Sequence, residues 1–307
     1  MIEEVRMPKP KKEYLNNSKI ANYISSNNNL LDKTLQLTTI PKKNIFVTVD
    51  LTTDENVSVT NQNITQYDMA VMDSVYTLLV NGTSSFTPEM IVRIMSGNFE
   101  QDVTPQKAGA VTKSLNKLSL IRISIDCTDE LRMRKQISNN KTAQLTSYLM
   151  PIREITIRSA NHQTEMKGFQ LIEKPVLYTY AENIKQIMSV PTTLLETKNK
   201  ISNTDDVIII KRALIKRIEI MKSNKNLINS NIINYERYDP KTGDTKGFFQ
   251  TLGFYKNNYS NWKKKKSRLH NTITSILNIF IQDHYILGYT VITEGKQKIN
   301  GIQIIFE

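Results

Sequence analysis

Two helix starts of one kind, Thr87-Pro88 and Thr104-Pro105, followed by a change of hydrophobic period, restrict this chain more than any other feature. A threonine before a first turn satisfies one orphaned amide, and a proline at the first helical position removes another. The first start opens a helix over 89–96 that Gly97 stops. The second opens one over 106–118, with Ala108, Val111, Leu115 and Leu118 as its inner stripe. Upstream, Tyr67, Ala70, Val71, Val75, Leu78 and Leu79 recur at spacings of three and four, which predicts a helix from Gln66 that Gly82 ends. Past Leu118 the period falls to two: 120–126 alternates as a strand does, and further strands are expected over 147–157 and 168–172. Three helices, the last two short and tightly joined, then a β-ribbon, make the order of a winged helix-turn-helix.

The plan recurs. Pro175 opens a helix over 176–188, and Pro191 with the polar stretch 196–203 reads as a linker. Asp205 and Asp206, with Thr204 as cap, place negative charge where a helix dipole favours it. The helix over 207–223 buries Ile209, Ala213, Leu214, Ile218 and Met221. A short helix over 228–235, a breaker turn over 239–244 and a helical turn over 248–252 are expected next. The long segment 261–284 carries Leu269, Ile273, Ile276, Leu277, Phe280 and Ile281 on one face. Strands over 289–293 and 299–306 then flank a hairpin tip bearing Lys296 and Lys298.

A β-branched run at 45–49 predicts a strand ahead of the first unit. Residues 1–40, with Lys9, Lys11, Lys12 and the run Asn27-Asn28-Asn29, read as a mobile polar arm carrying at most one short helix. The expected architecture is therefore α+β: a flexible polar N-terminal arm over 1–40, then two tandem winged-helix units (helix-turn-helix plus β-ribbon) over 41–195 and 204–307.

Charge supplies the first functional hint. Lysine and arginine number 41 against 29 acidic residues, a net +12 that suits a polyanionic partner. Many basic proteins bind no polyanion, so the location of the charge matters more than its sum. Residues 256–268 include Trp262, Lys263, Lys264, Lys265, Lys266 and Arg268 and no acidic residue, and they lead into the long helix. Taken alone, a four-lysine run is commonly a solvated face. Here it stands at the start of an amphipathic helix that precedes a basic-tipped hairpin, where lysines pair with phosphates as a helix enters the major groove. Arg268, His270, Asn271 and Thr274 follow on or near the outer face, and Arg and Asn can read guanine and adenine through paired hydrogen bonds. The matching helix of the first unit offers Gln106, Lys107, Lys113, Asn116 and Lys117. Trp262, Tyr255 and Tyr259 are expected to pack against the helix they precede rather than stack on bases.

Nothing in the sequence marks an enzyme. The histidines, His162, His270 and His284, lie far apart, and no phosphate-binding Gly-x-x-x-x-Gly-Lys loop occurs. Cys127 is the single cysteine, which excludes an internal disulfide and a cysteine-based zinc site. We expect no catalytic residue, no metal and no cofactor. We also expect a cytoplasmic location, since the opening residues lack a signal-peptide layout and no apolar run reaches membrane length.

The run Tyr67-Asp68-Met69-Ala70-Val71-Met72-Asp73-Ser74-Val75, with Phe86-Thr87-Pro88-Glu89-Met90-Ile91 and Met95-Ser96-Gly97, resembles the first winged helix of replication initiator (Rep) proteins of plasmids and mobile elements from Gram-positive bacteria. So does Lys113-Ser114-Leu115-Asn116-Lys117-Leu118 running into Ile123-Ser124-Ile125-Asp126. Residues 213–222, Ile276-Leu277 and Gly288-Tyr289 are similar to that group's second unit. The resemblance spans about 65–307 and rests on helical patterns. It implies a sequence-specific binder of repeated origin sequences in double-stranded DNA that recruits host replication proteins and can form a homodimer. The polar arm matches nothing in that group. A transcription regulator on the same two units remains an alternative reading, and a rolling-circle nicking endonuclease is a second.

Overall fold

Four side chains set where the main helices begin. In the computed structural model, Thr65, Thr87, Thr104 and Asn261 accept hydrogen bonds from the amides of Asp68, Met90, Lys107 and Lys264 at 3.2, 3.4, 3.4 and 3.0 Å. The structure describes residues 8–26, 33–40, 45–53, 63–158, 165–197, 200–223, 231–238, 245–295 and 298–306. In chain order come β1 (Lys12–Asn16), α1 (Lys19–Ser26), β2 (Lys33–Ile40), β3 (Ile45–Thr53), α2 (Gln66–Val80), β4 (Ser85–Phe86), α3 (Pro88–Ser96) and α4 (Pro105–Leu120). Then follow β5 (Ile121–Asp126), α5 (Thr128–Met133), β6 (Gln144–Tyr148), β7 (Ile152–Arg158), β8 (Glu165–Leu171), α6 (Val176–Asn183) and β9 (Ile187–Pro191). The remainder is α7 (Asp205–Ser223), β10 (Ile232–Asn234), β11 (Arg237–Tyr238), β12 (Thr245–Lys246), α8 (Phe248–Thr251), α9 (Trp262–Gln282), β13 (Gly288–Glu294) and β14 (Lys298–Ile305).

The protein is a mixed α/β chain with small sheets, and one order occurs twice. α2-β4-α3-α4 is followed, after an insertion, by β7 and β8; α7-β10-α8-α9, with β11 and β12 inserted between β10 and α8, is followed by β13 and β14. The two sheets have the same antiparallel arrangement, β4-β8-β7 and β10-β14-β13, with the short strand beside the last strand. Each last strand carries a glycine where the short strand crosses. A Cβ on Gly168 would stand 3.2 Å from the Phe86 carbonyl, and one on Gly301 would collide with the Ile233 carbonyl. The first repeat alone carries a four-stranded sheet, β2-β3-β5-β6, together with α5 and α6.

Several expectations need correction. Residues 228–235 do not form a helix where described: Ile232 and Ile233 are β-branched and pair with Gln303 and Ile302 of the neighbouring β14, and Ile233 is buried. The helix after Pro175 stops at Asn183, because Lys185 takes a left-handed φ of 56° and turns the chain into β9. Pro151 divides the expected strand over 147–157 into β6 and β7. The largest correction concerns the N-terminal arm. Residues 12–26 form β1 and α1; β1 pairs with β9, and Leu15, Ile20 and Ile24 are fully buried. The periodicity was weak there because only a few apolar positions do the packing. The turn 239–244, His162 and Asn27-Asn28-Asn29 lie outside the described residues.

Two apolar cores result. The first gathers α1, β3, α2, α3, α4, β5 and α6, with Ile208 of α7 reaching into it. The second gathers α7, α8, α9, β10 and β14, and takes Leu15 from β1 and Val190 from β9. α2 is buried along almost its whole length.

Candidate nucleic-acid interface

The third helix of each repeated set has no acidic residue: α4 reads PQKAGAVTKSLNKLSL and α9 reads WKKKKSRLHNTITSILNIFIQ. In α9, Leu269, Ile273, Ile276, Leu277 and Phe280 face the core, at the spacings expected for one helical face. The opposite face is continuous and solvent-exposed: Lys264, Arg268, Asn271, Ser275 and Asn278, with Lys263 and Ser267 beside it. Lysine, arginine and asparagine therefore share one stripe.

The four lysines do not act alike. Lys263 and Lys264 are exposed. Lys265 pairs with Asp206 at 2.6 Å and lies over the rings of Phe254 and Tyr259, 4.7 and 4.9 Å from their centres. Lys266 pairs with Glu236. Trp262 donates to the same Glu236 at 3.1 Å and stacks on Tyr259, so the aromatic group packs the helix start as expected. Tyr255 donates to the Ser26 carbonyl at 2.7 Å.

His270 is half-buried, and burial lowers its pKa; its Nδ1 lies 2.8 Å from the Tyr235 hydroxyl. That contact makes it part of the wall between α9 and the sheet. Thr274 turns its hydroxyl back to the His270 and Asn271 carbonyls at 3.1 and 3.0 Å. A groove of about 690 Å³ runs between α9 and β14, bounded by Lys256, Trp262, Lys263, His270 and Ile299. Lys298 begins β14, and Lys296 lies outside the described residues.

On α4, Gln106, Lys113 and Asn116 are exposed, with the half-exposed Gly109 and Ala110 between them. Lys117 is not free for a ligand: its ammonium pairs with Asp68 and donates to the Asn63 carbonyl at 3.0 Å, while Ser114 donates to the same Asp68 at 2.6 Å. The half-exposed Lys107 lies close enough to Asp205 to oppose the upward pKa shift that burial and Asp206 impose on that carboxyl. The first turns of α4 and α9 thus both approach the acidic start of α7. Sequence reasoning could place Asp206 only as a capping residue, because its partner Lys265 is distant along the chain.

It also missed a group of charges beneath the surface. Glu13, Asp73, Arg212, Lys211 and Lys216 are all buried. The one available signal was the position of Lys211 and Arg212 directly after Ile208-Ile209-Ile210 in a helix with apolar residues on most sides.

Among the described residues no helix is long and apolar enough to cross a membrane, and no group of three or more His, Cys, Asp or Glu side chains could hold a metal ion. No family model matches the chain, and no curated protein matches it in sequence. The crystal structure of a selenomethionine derivative of domains 2 and 3 of RctB is similar at a TM-score of 0.46 and 10% identity, covering 94% of this chain and 95% of that one. A second crystal structure, of RctB domains 2-3, is similar at a TM-score of 0.43 and 8% identity, covering 89% of this chain and 91% of the other.

Proposed function

We propose that this chain is a sequence-specific double-stranded DNA-binding protein that reads the duplex through two winged-helix units and performs no chemistry itself. The observation that carries the reading is the twice-used order in which the third helix, α4 or α9, has no acid and turns polar and basic side chains to solvent. A helix with such a stripe fits the major groove, and a basic hairpin beside it fits the flanking backbone. Lys263 and Lys264 neutralise phosphates, while Arg268 and Asn271 reach base edges. Gln106, Lys113 and Asn116 do the same work in the first unit, with fewer cations. The biological role we assign is initiation of replication at repeated origin sequences of a plasmid or mobile element, in the cytoplasm and with host replication proteins as partners. This finer assignment is supported by the sequence resemblance over 65–307.

The test is selection of bound fragments from DNA surrounding the gene, followed by footprinting. The expected result is a repeated sequence with two protected segments on one face of the duplex, at a period of about 10 bp per turn. Absence of any shift at low salt would overturn DNA binding. Relaxation of a supercoiled plasmid by the purified protein with a divalent metal would overturn the non-enzymatic part.

A further inference from the structure

α2 and α7 are the first helices of the two repeats and pack directly against each other. Asp73 is the eighth residue of α2 and Arg212 the eighth of α7, so corresponding positions meet across the seam. Arg212 Nη1 lies 3.6 Å and Lys216 Nζ 3.4 Å from Asp73 Oδ2. β1 crosses the same seam and closes the group. Glu13 pairs with Arg212 and accepts from Ser74 at 3.2 Å; the Asn16 amide donates to Asp73 at 2.8 Å, and Lys216 donates to the Asn16 carbonyl at 2.8 Å. Tyr178 of α6 adds a 2.6 Å bond to Asp73. Glu13, Asp73, Arg212 and Lys216 are 0%, 1%, 4% and 9% exposed, so two carboxyls and two cations meet in the interior.

Each repeat has its own apolar core, so a seam of aliphatic side chains would suffice to hold them together. Burying four charges instead costs desolvation, and it restricts the partners to one orientation, because charge pairs need defined geometry where apolar faces can slide. At the start of α7, Asp206 holds Lys265 of α9, and Asp205 lies within reach of the Lys107 charge on α4. Both reading helices are therefore referred to one central rod.

We propose that the group formed by Glu13, Asp73, Arg212 and Lys216 sets the spacing at which the protein accepts DNA, by making α4 and α9 move as one body. These four are positioning residues, remote from the ligand. The proposal rests on the DNA-reading function above, and its test separates the two.

The first arm uses the full chain without DNA. Nitroxide labels at Asn116→Cys and Ser275→Cys, in a Cys127→Ser background, report the α4–α9 distance by pulsed dipolar spectroscopy. One narrow distance is expected, and Arg212→Met combined with Asp73→Leu should broaden it. Lys216→Met, which removes the second cation and leaves the Arg212 pairs in place, serves if the double variant does not fold. A distribution as narrow in the variant as in the parent would overturn the proposal.

The second arm uses unlabelled protein and the selected duplex with about 5 bp, half a turn, inserted between the protected segments. The parent should lose about 100-fold in affinity, as two linked sites do when geometry forbids joint engagement. The variant should lose less than about tenfold. Equal tolerance of the insertion by parent and variant would overturn the proposal. If the parent bound no duplex at all, the assigned function would fall and the first arm alone would decide the mechanical claim.

Discussion

The two repeats share an order of elements and differ in how they use it. The first adds a four-stranded sheet and two further helices, and commits Lys117 to Asp68 inside the protein. The second is bare: α9 is longer, and Lys263, Lys264 and Arg268 remain exposed on a helix without acid. One plan has thus yielded a unit weighted towards structure and a unit weighted towards charge. A count of basic residues therefore says little about which cations stay exposed, since Lys265 and Lys266, within the same run, pair with Asp206 and Glu236.

The comparison breaks most visibly at the seam. Arg212→Ala leaves Glu13 and Asp73 buried beside a single cation, and should cost about 3–5 kcal/mol. Denaturation should show both repeats losing stability together, as they would not if they were independent. Next in size, Arg268→Ala or Asn271→Ala should lower discrimination between preferred and altered sites by about 1–3 kcal/mol. Lys113→Ala on α4 should do much less, and an equal effect from both units would remove the asymmetry.

Smaller effects sharpen the contrast. Thr104→Ala removes the cap of α4 and should cost about 1 kcal/mol of stability in a thermal melt. Lys264→Ala should reduce the slope of log affinity against log salt by about 1, whereas Lys265→Ala should lower the melting temperature and leave that slope unchanged.

The smallest effect is a pH slope. Burial pushes the Glu13 carboxyl up to about 7 against the Arg212 charge that opposes it. The folded chain therefore holds a proton that the unfolded chain releases between its ordinary 4.5 and about 7, so this group's contribution to stability falls as pH rises through that window. Glu13→Gln should flatten the slope in melts between pH 5 and 7. Burial pushes Lys211 down to about 7, which adds the opposite slope above that pH.

The legible part of the fold was the part whose chemistry is local. Thr87-Pro88, Thr104-Pro105 and Gly97 fix helix ends through neighbours a few residues away, and those ends fall where the spacing predicts. The buried face of α9, Leu269, Ile273, Ile276, Leu277 and Phe280, followed from one helical period. What could not be read depends on distant partners. β10 looked helical because its three residues acquire strand character only against β14, and β4 is too short to carry any period. β1 was hidden for the same reason: Lys12 to Asn16 show no clean alternation, since both faces of this strand meet protein. At the interface, sequence placed Arg268, His270, Asn271 and Thr274 on or near the outer face; Arg268 and Asn271 are exposed there, while His270 and Thr274 are half-buried. It could not distinguish Lys117, Lys265 and Lys266, whose acidic partners are remote along the chain.

β1 also has a consequence for how the protein is made. Glu13 and Arg212 are 199 residues apart, and β9 is nearly as distant from β1. At about 5–20 residues per second, the ribosome delivers α7 roughly 10–40 s after Glu13 has been polymerised. During that interval the strand has an unpaired edge and a carboxylate with no cation to meet. Contacts this far apart in sequence close slowly, because the intervening loop must first be ordered. The earliest segment synthesised among the described elements is thus among the last to find its place, and a stalled or truncated chain that lacks α7 would present β1 to any chaperone or strand edge nearby.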